Sequence, residues 1–391
     1  VLSRSDWKAS WKMLKVPVIC DTGTGVIKAG FASEKVPSVE FPNLVGRQLK
    51  RYDAVTDTDT TTSKLLVGDD ANKSRASLQL TRPIADGKVA DWNDMEAVWD
   101  YTWDKLGITC SEHQVVQTEA ALNPRANREK MAEVMFEKYG FAGLNVATQA
   151  VLALNSQGME TGFAVDSGDG VTHLVPVAFN MVEPNLVQRV NLAGRHVTEH
   201  FMKLLRVAGH ALNPETDFET VREMKQKLCY VAHDVEAEKK LARETTVVGK
   251  QYTLPDGSII RVGSERFMAP ELLFTPADMG NDIGLPQMIF NTIRKTDMDL
   301  QKGYFKSIVL SGGTTMFPGF SSRLEEDIKK IYVANVFKGD TSRKFNCLVE
   351  DPPNRKHMVF LGASIQAYAQ ASDPSSRWFV SRQEYAERGM E

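Results

Sequence analysis

Asp21-Thr22-Gly23-Thr24-Gly25 joins a carboxylate, two hydroxyls and two glycines in one short turn, and the pattern returns 145 positions later as Asp166-Ser167-Gly168-Asp169-Gly170. Both have the form D-(S/T)-G-x-G. Each follows an apolar run, Val16 to Cys20 and Phe163 to Val165, and each precedes another, Val26 to Phe31 and Val171 to Val177. A strand–tight turn–strand unit is therefore expected twice. A third glycine turn, Ser311-Gly312-Gly313-Thr314-Thr315, follows the apolar Ile308-Val309-Leu310.

The chemistry such turns suit is phosphate binding. Glycine reaches positive φ and lets backbone N–H groups come close to an anion. Successive N–H groups in a turn make a concave nest for phosphate oxygens. Thr24 and Ser167 add hydroxyl donors, and Lys28 adds a positive charge just beyond the first turn. Asp21 and Asp166 would repel phosphate by themselves. They make sense with a divalent cation between them and the phosphates, since magnesium takes a few carboxylates, retained waters and phosphate oxygens. Two ordinary Asx–Gly hairpins are the plainer reading, and one hairpin alone would favour it. Two in matching context, with a third glycine turn, point instead to one nucleotide held between two related halves. Neither G-x-x-x-x-G-K-[ST] nor a strand–helix G-x-G-x-x-G is involved.

The elements that must position these turns fit a chain of 391 residues, long enough for two domains or two lobes. Hydrophobic content of 42% and charged content of 25% are those of an ordinary globular protein. A net charge of −3 supplies no basic field, so nucleic acid is not an expected partner. Cys20, Cys110, Cys229 and Cys347 have no C-x-x-C spacing and read as buried free thiols of a reducing compartment. No apolar stretch is long enough for a bilayer. The first residue is Val1, so a native start is expected upstream, and the N-terminus lacks the apolar core of a signal peptide.

From Val16 the signals alternate between strand and helix, the α/β pattern. Strands are expected at Val16–Cys20, Val26–Phe31, Val115–Thr118, Gly162–Val165 and Val171–Val177. Helices are expected at Asn93–Leu106, Asn127–Tyr139, Gln149–Asn155, His196–Val207, Phe218–Val231, Gln287–Lys295 and Gly319–Tyr332. Leu254-Pro255-Asp256-Gly257 reads as a turn between two strands. Residues 1–15 read as an appendage, with Trp7, Trp11 and Leu14 at helical spacing; packing on its own domain is preferred to membrane docking. Tyr52 to Ser63 is Thr- and Asp-rich and reads as a mobile loop. Lys338 to Lys344 is a second polar insertion, ahead of a strand around Cys347–Val349.

Longer motifs carry a resemblance. They are Asp21-Thr-Gly-Thr-Gly-Val-Ile-Lys-Ala-Gly-Phe31, Leu122-Asn-Pro-Arg-Ala-Asn-Arg-Glu-Lys130, Val165-Asp-Ser-Gly-Asp-Gly-Val-Thr-His173, Leu192-Ala-Gly-Arg195, Lys227-Leu-Cys-Tyr-Val231 and Leu310-Ser-Gly-Gly-Thr-Thr-Met316. From about Val16 to its end the chain resembles the actin superfamily. Asp217-Phe-Glu-Thr-Val-Arg222, Glu244-Thr-Thr246, Ser321 to Tyr332 and the insertion leading to Glu350-Asp-Pro-Pro-Asn-Arg-Lys-His357 are similar to an actin-related branch of it. Ordinary actins look shorter at the insertion.

The resemblance implies an α/β, actin-like ATPase fold. Two lobes, each with a mixed five-stranded sheet flanked by helices, would form four subdomains around a nucleotide cleft. Subdomain 1 would take 16–42, 83–156 and 358–391, subdomain 2 residues 43–82, subdomain 3 residues 157–192 and 284–357, and subdomain 4 residues 193–283. Thr22, Gly23, Thr24, Gly25 and Lys28, with Gly168, Asp169, Gly170 and Val171, would hold the phosphates of ATP or ADP. Asp21 and Asp166 would bind Mg2+ (or Ca2+) through water. Gly194, Arg222, Lys225, Gln226, Gly312, Gly313, Thr314, Met316, Phe317 and Lys356 would surround adenosine. Gln149 would place the attacking water and His173 would stand behind it. Phosphoryl transfer is mostly positioning and electrostatics; with no arginine finger evident, slow hydrolysis serving a structural role is expected.

The function implied is that of an actin mimic in a complex that nucleates branched filaments, in the cytoplasm and actin cytoskeleton. Its partners would be actin, a second actin-related protein, scaffold subunits and nucleation-promoting factors, with nucleotide setting lobe closure. A divergent polymerising actin is the alternative, which the polar Tyr52–Ser63 loop and the Lys338–Lys344 insertion disfavour. A sugar or acetate kinase would need a second-substrate pocket that nothing outside the phosphate motifs suggests. A chaperone of the superfamily would need a long C-terminal domain. Departures from the family pattern are Gln226 where an acidic residue touches the ribose, His196 where Asp is typical, Thr22 for Asn, and a shortened tail after Tyr385. His196, Glu199 and His200 read as a helix face and not as a zinc site.

Overall fold

A computed structural model describes residues 15–48, 65–85, 87–214, 216–276, 283–373 and 375–389. The expected appendage up to residue 14 and the Tyr52–Ser63 loop lie outside the described residues. The chain divides into two compact units, Val1–Met159 with His357–Glu391, and Glu160–Lys356.

In the first unit, strands β1 (Val18–Thr22), β2 (Val26–Phe31) and β3 (Val39–Pro42) form an antiparallel meander. β4 (Val45–Gln48), β5 (Leu66–Val67) and β6 (Leu78–Thr81) make a small separate sheet, and β7 (Ile84–Ala85) pairs with β8 (Lys88–Val89). β9 (Gln114–Glu119) and β10 (Gly143–Thr148) return parallel to β1. All six residues of β9 are buried, as a strand covered on both faces requires. The helix Trp92–Leu106 leads into β9. Its start is capped by the Asp91 carboxylate, which accepts from the N–H groups of Asn93 and Asp94, and its end by Gly107 at φ 65°.

The helix Gln149–Asn155 follows β10 directly. The closing segment of the chain comes back to this unit because the helix Met358–Ser372 packs on Gln149–Asn155, with Gly362 over the Leu152 carbonyl. Ile19, Val116, Leu152, Phe360 and Ala363 are buried together there.

The second unit repeats the plan. β11 (Gly162–Ser167) and β12 (Thr172–Ala178) form an antiparallel hairpin, extended by β13 (Met181–Val182) and touched by β14 (Gln188–Val190). β15 (Lys250–Thr253) and β16 (Ile259–Val262) are a separate ribbon around the expected Leu254–Gly257 turn. β17 (Ile308–Ser311) and β18 (Val349–Glu350) run parallel to β11. In the helix Gly194–Val207, Val197, Phe201, Met202 and Leu205 recur at helical spacing and are buried with Phe163, Val165, Ile289 and Leu324 in one core.

Several expectations change. Each main sheet has six strands where five were expected. In the first unit the extra strand is Val380–Ser381 beside β10; in the second it is the short β14, folded back onto β12. The helix expected over Asn127–Tyr139 is an α-helix only at Arg125–Glu133, then a π-turn at Val134–Lys138. The wider turn carries three consecutive buried residues, Val134, Met135 and Phe136, and closes with Tyr139 N–H on the Val134 carbonyl at 3.1 Å. The helix at Phe218 ends at Leu228, not Val231, because the N–H groups of Tyr230 and Val231 bond to the carbonyls of Arg266 and Pro318. Cys20, Cys229 and Cys347 are buried free thiols, which burial pushes up to about 12, whereas Cys110 is only half-buried.

Candidate functional site

The first glycine turn joins β1 to β2 in a register that sets Asp21 opposite Lys28. The Asp21 carboxylate is buried, and all its donors come from this unit. Lys28 Nζ reaches Oδ2 at 3.1 Å. Thr118 Oγ1, from the adjoining end of β9, donates to Oδ1 at 2.7 Å. Gln149 Nε2 donates to the same Oδ1 at 3.2 Å and to Thr118 Oγ1 at 3.3 Å. Charge-assisted bonds of this kind are short and directional, and they fix the orientation of the carboxylate.

The turn itself is tied from behind. Asn43, fully buried, donates from Nδ2 to the Gly23 carbonyl at 2.9 Å and from its backbone N–H to the Gly25 carbonyl at 3.0 Å. Thr22 Oγ1 donates to Gln117 Oε1 at 3.1 Å. Gly23 has no room for a side chain, since a Cβ there would stand 2.6 Å from the Val26 carbonyl oxygen. The carbonyls of Gly23 and Gly25 are thus engaged behind the turn. The residues themselves are half-buried up to Thr24, and Gly25 is buried.

The second glycine turn joins β11 to β12 in the same register, with Asp166 opposite His173. At the common offset, Asp21 matches Asp166, Gly23 matches Gly168, Gly25 matches Gly170 and Lys28 matches His173. The strand beside each also matches: Cys20 pairs with Gln117, one step before Thr118, and Asp166 pairs with Ser311.

This second turn is tied by two further glycine turns of its own unit. The Gly168 carbonyl accepts the Gly194 N–H at 3.1 Å and Thr314 Oγ1 at 2.5 Å. Arg195 N–H reaches the Asp169 carbonyl at 2.8 Å. Ser167 and Thr172 share a hydroxyl–hydroxyl bond at 2.8 Å, and Thr172 continues to the Leu192 carbonyl at 2.7 Å. Gly312 has φ 90°, and a Cβ there would lie 2.2 Å from the Ser167 carbonyl oxygen. The turns at residues 168, 194 and 312 are thus in close backbone contact.

Lys225 is buried beneath them and donates to the Gly194 carbonyl at 2.6 Å. Burial pulls its pKa down to about 8, with Asp169 acting the other way. His173 is buried too, and burial together with the Arg189 charge lowers it to about 4, so the imidazole is neutral at pH 7. Arg195 Nε stands 3.8 Å from Asp169 Oδ2, too far for a hydrogen bond. Arg195 Nη2 is buried without a partner. A buried orphan donor beside a glycine turn suits an anionic ligand.

The expected adenosine residues divide. Gly194, Lys225, Gly312 and Thr314 come together with Gly168, and Phe317 is buried close by in sequence. Arg222 is ion-paired to Glu219, Nε to Oε2 at 2.7 Å. Gln226, Met316 and Lys356 are exposed. His196 is occupied in capping its own helix: Nδ1 accepts the Ala193 N–H at 3.2 Å. Sequence reasoning missed Asn43, Gln117, Thr118 and Thr172. The signal for Gln117 and Thr118 was there, since both are polar residues continuing the buried run from Val115. Nothing local marked Asn43.

Among the described residues no group of three or more His, Cys, Asp or Glu could hold a metal ion directly. Single carboxylates such as Asp21 and Asp166 fit a hard cation that keeps its water shell and takes phosphate oxygens. No helix among the described residues is long and apolar enough to cross a membrane.

Mixed sheets of this plan, each led by an acid–glycine hairpin, define an actin-like protein. The actin family model matches residues 14–391, and the chain belongs to that family. Relatives named actin-related protein 2 are similar along nearly the whole length. That of Acanthamoeba castellanii is 47% identical over 376 residues, covering 95% of this chain and 96% of its own. Those of Saccharomyces cerevisiae and Drosophila melanogaster are each 46% identical, over 379 and 382 residues, covering 95% of this chain and 96% and 95% of their own.

Proposed function

We propose that this chain is the ATP-binding, actin-related subunit of a complex that nucleates branched actin filaments, doing the work of an actin-related protein 2. The observation that carries the reading is the repeated hairpin. Asp21 and Asp166 stand at the same register position before turns whose glycine carbonyls are tied back. Similarity to proteins named actin-related protein 2 over 95% of the chain supports the particular branch.

In this reading the turns Thr22 to Gly25 and Gly168 to Val171 bind phosphates through their backbone N–H groups, that of Gly168 excepted because it is taken by the Val171 carbonyl at 3.1 Å, and Lys28 balances their charge. Asp21 and Asp166 order water around a divalent cation, which supplies charge neutralisation for the phosphates when bound. The turns at Gly194 and Gly312, with Lys225 and Lys356, bind the nucleoside. Gln149 orients the attacking water, and neutral His173 accepts a hydrogen bond from it. Hydrolysis is slow, and the nucleotide state sets which surface is presented to actin, a second actin-related protein and the scaffold subunits. Residues 43–82 and 193–283 are the outer subdomains, and the protein works in the cytoplasmic actin cytoskeleton.

The test is affinity capture of the tagged protein from its own cells, with mass spectrometry of what is bound. A second actin-related protein with a small fixed set of scaffold subunits is the expected recovery. Recovery of its own copies alone, with concentration-dependent pelleting of the pure protein, would overturn the reading in favour of a polymerising actin.

A further inference from the structure

Arg355 is a buried arginine that no expected site includes, and its contacts all lie within the second unit. Its guanidinium surrounds the far end of the third glycine turn. Nη2 donates to the Thr315 carbonyl at 2.9 Å, and Nε reaches that carbonyl at 3.3 Å and Thr315 Oγ1 at 3.2 Å. Nη1 donates to the carbonyls of Asp351 and Pro352 at 3.1 and 3.3 Å. The backbone of the same residue holds the near end of the turn: the Gly312 N–H donates to the Arg355 carbonyl at 3.2 Å. One residue therefore grips both ends of Gly312–Thr315.

A buried guanidinium is costly unless fully hydrogen-bonded. Here the nearest carboxylate oxygen, Asp351 Oδ2, is 4.0 Å away and is taken by Ser321 Oγ at 2.7 Å. The charge is spent on carbonyls, which fixes geometry. Only a planar fork with five donors can serve Thr315 on one side and residues 351–352 on the other. The turn it holds carries Gly312, Gly313 and Thr314 and is followed by Met316, and the residue after Arg355 is Lys356, all of them assigned above to the nucleoside.

We infer that Arg355 is a positioning residue for nucleoside recognition: it locks the Gly312–Thr315 turn to the segment bearing Lys356, and so sets affinity for the nucleoside without touching it. The inference rests on the nucleotide reading proposed above. It separates two grips, phosphates held by the Asp21 and Asp166 hairpins, and nucleoside held by the turn that Arg355 braces.

The experiment compares magnesium–ATP with magnesium–tripolyphosphate on the full chain, by calorimetry or competition, for the wild type, Arg355→Lys and Thr315→Val. Replacing the fork by a single ammonium removes charge-assisted bonds, so ATP affinity falls about tenfold in Arg355→Lys. Tripolyphosphate affinity falls by no more than about threefold, because the first hairpin is untouched and the second keeps its Gly194 tie even where the Thr314 bond to the Gly168 carbonyl loosens. Thr315→Val, which keeps the arginine but loses its Oγ1 acceptor and that hydroxyl's own bond to the Gly312 carbonyl at 2.8 Å, loosens the same turn and shifts the ratio in the same direction. A parallel loss of both ligands, or an unchanged ATP-to-tripolyphosphate ratio in a variant that still binds, overturns the role of Arg355. A wild-type chain that binds neither ligand overturns the nucleotide reading itself and this inference with it.

Discussion

Gln149 Nε2 stands 3.2 Å from Oδ1 of Asp21, and both also meet the hydroxyl of Thr118. The residue expected to place a water and the carboxylate expected to order a metal's water shell thus form one network inside one unit. The helix that carries Gln149 starts at the end of β10, two strands from β1, so the sheet itself sets their spacing.

That network predicts separable effects. Gln149→Ala removes a donor to Asp21 but neither Lys28 nor the turn. ATP affinity should stay within a few-fold, while single-turnover phosphate release slows by about a hundredfold, as for misplacement of an attacking group. Phosphate release at the wild-type rate would remove Gln149 from the chemistry.

His173 predicts an acid-side stability loss. Its folded pKa is lowered to about 4, so between the ordinary 6.5 and that value the unfolded chain binds the extra proton. Stability contributed by the neutral imidazole is full above pH 6.5 and disappears as pH falls towards 4. Urea unfolding at pH 7 and pH 5 should show the wild type losing about 2 kcal/mol more than His173→Gln. Equal losses would place His173 in contact with water.

Lys225 predicts the opposite side of the scale. Its folded pKa, about 8, is below the ordinary 10.5, so the unfolded chain binds more protons between these values. The cost of burying the ammonium is full below pH 8 and is relieved as pH rises to 10.5. Compared with Lys225→Met, the wild type should gain about 2 kcal/mol between pH 7.5 and pH 9.5, read from denaturant midpoints. No relative gain would mean that Lys225 is hydrated.

Gly312 predicts a clean contrast with its neighbour. Alanine at 312 meets the Ser167 carbonyl at 2.2 Å with φ at 90°, whereas a Cβ at Gly313 meets nothing within 4 Å. Gly312→Ala should lose at least about 3 kcal/mol of stability or fail to accumulate, with Gly313→Ala within about 1 kcal/mol of wild type. Similar thermal midpoints for the two would show that the turns at 167 and 312 are not in contact.

Much of the fold was legible from residue order. The strand β2 and the helix Gln149–Asn155 fall on their expected bounds, and both acid–glycine turns are the hairpins their flanking apolar runs require. Element ends were less legible. Tyr230 and Val231 continue the helical pattern from Phe218, yet their N–H groups find carbonyls of Arg266 and Pro318, and a distant acceptor outweighs a local propensity. The edge strand Val380–Ser381 is two residues long and carries no period to read.

The amino-acid sequence by itself determined the two D-(S/T)-G-x-G hairpins, the alternation that makes an α/β protein, and the family. These rest on local backbone chemistry, on periodicity and on long contiguous motifs, all of which are written in residue order. Only the tertiary structure decided that Thr118 and Gln149 meet at Asp21, that Asn43 closes the back of the first turn, and that Arg355 holds both ends of the third. Those partners are set by the register of parallel strands and by the path of distant segments, and no rule acting over a few residues specifies either.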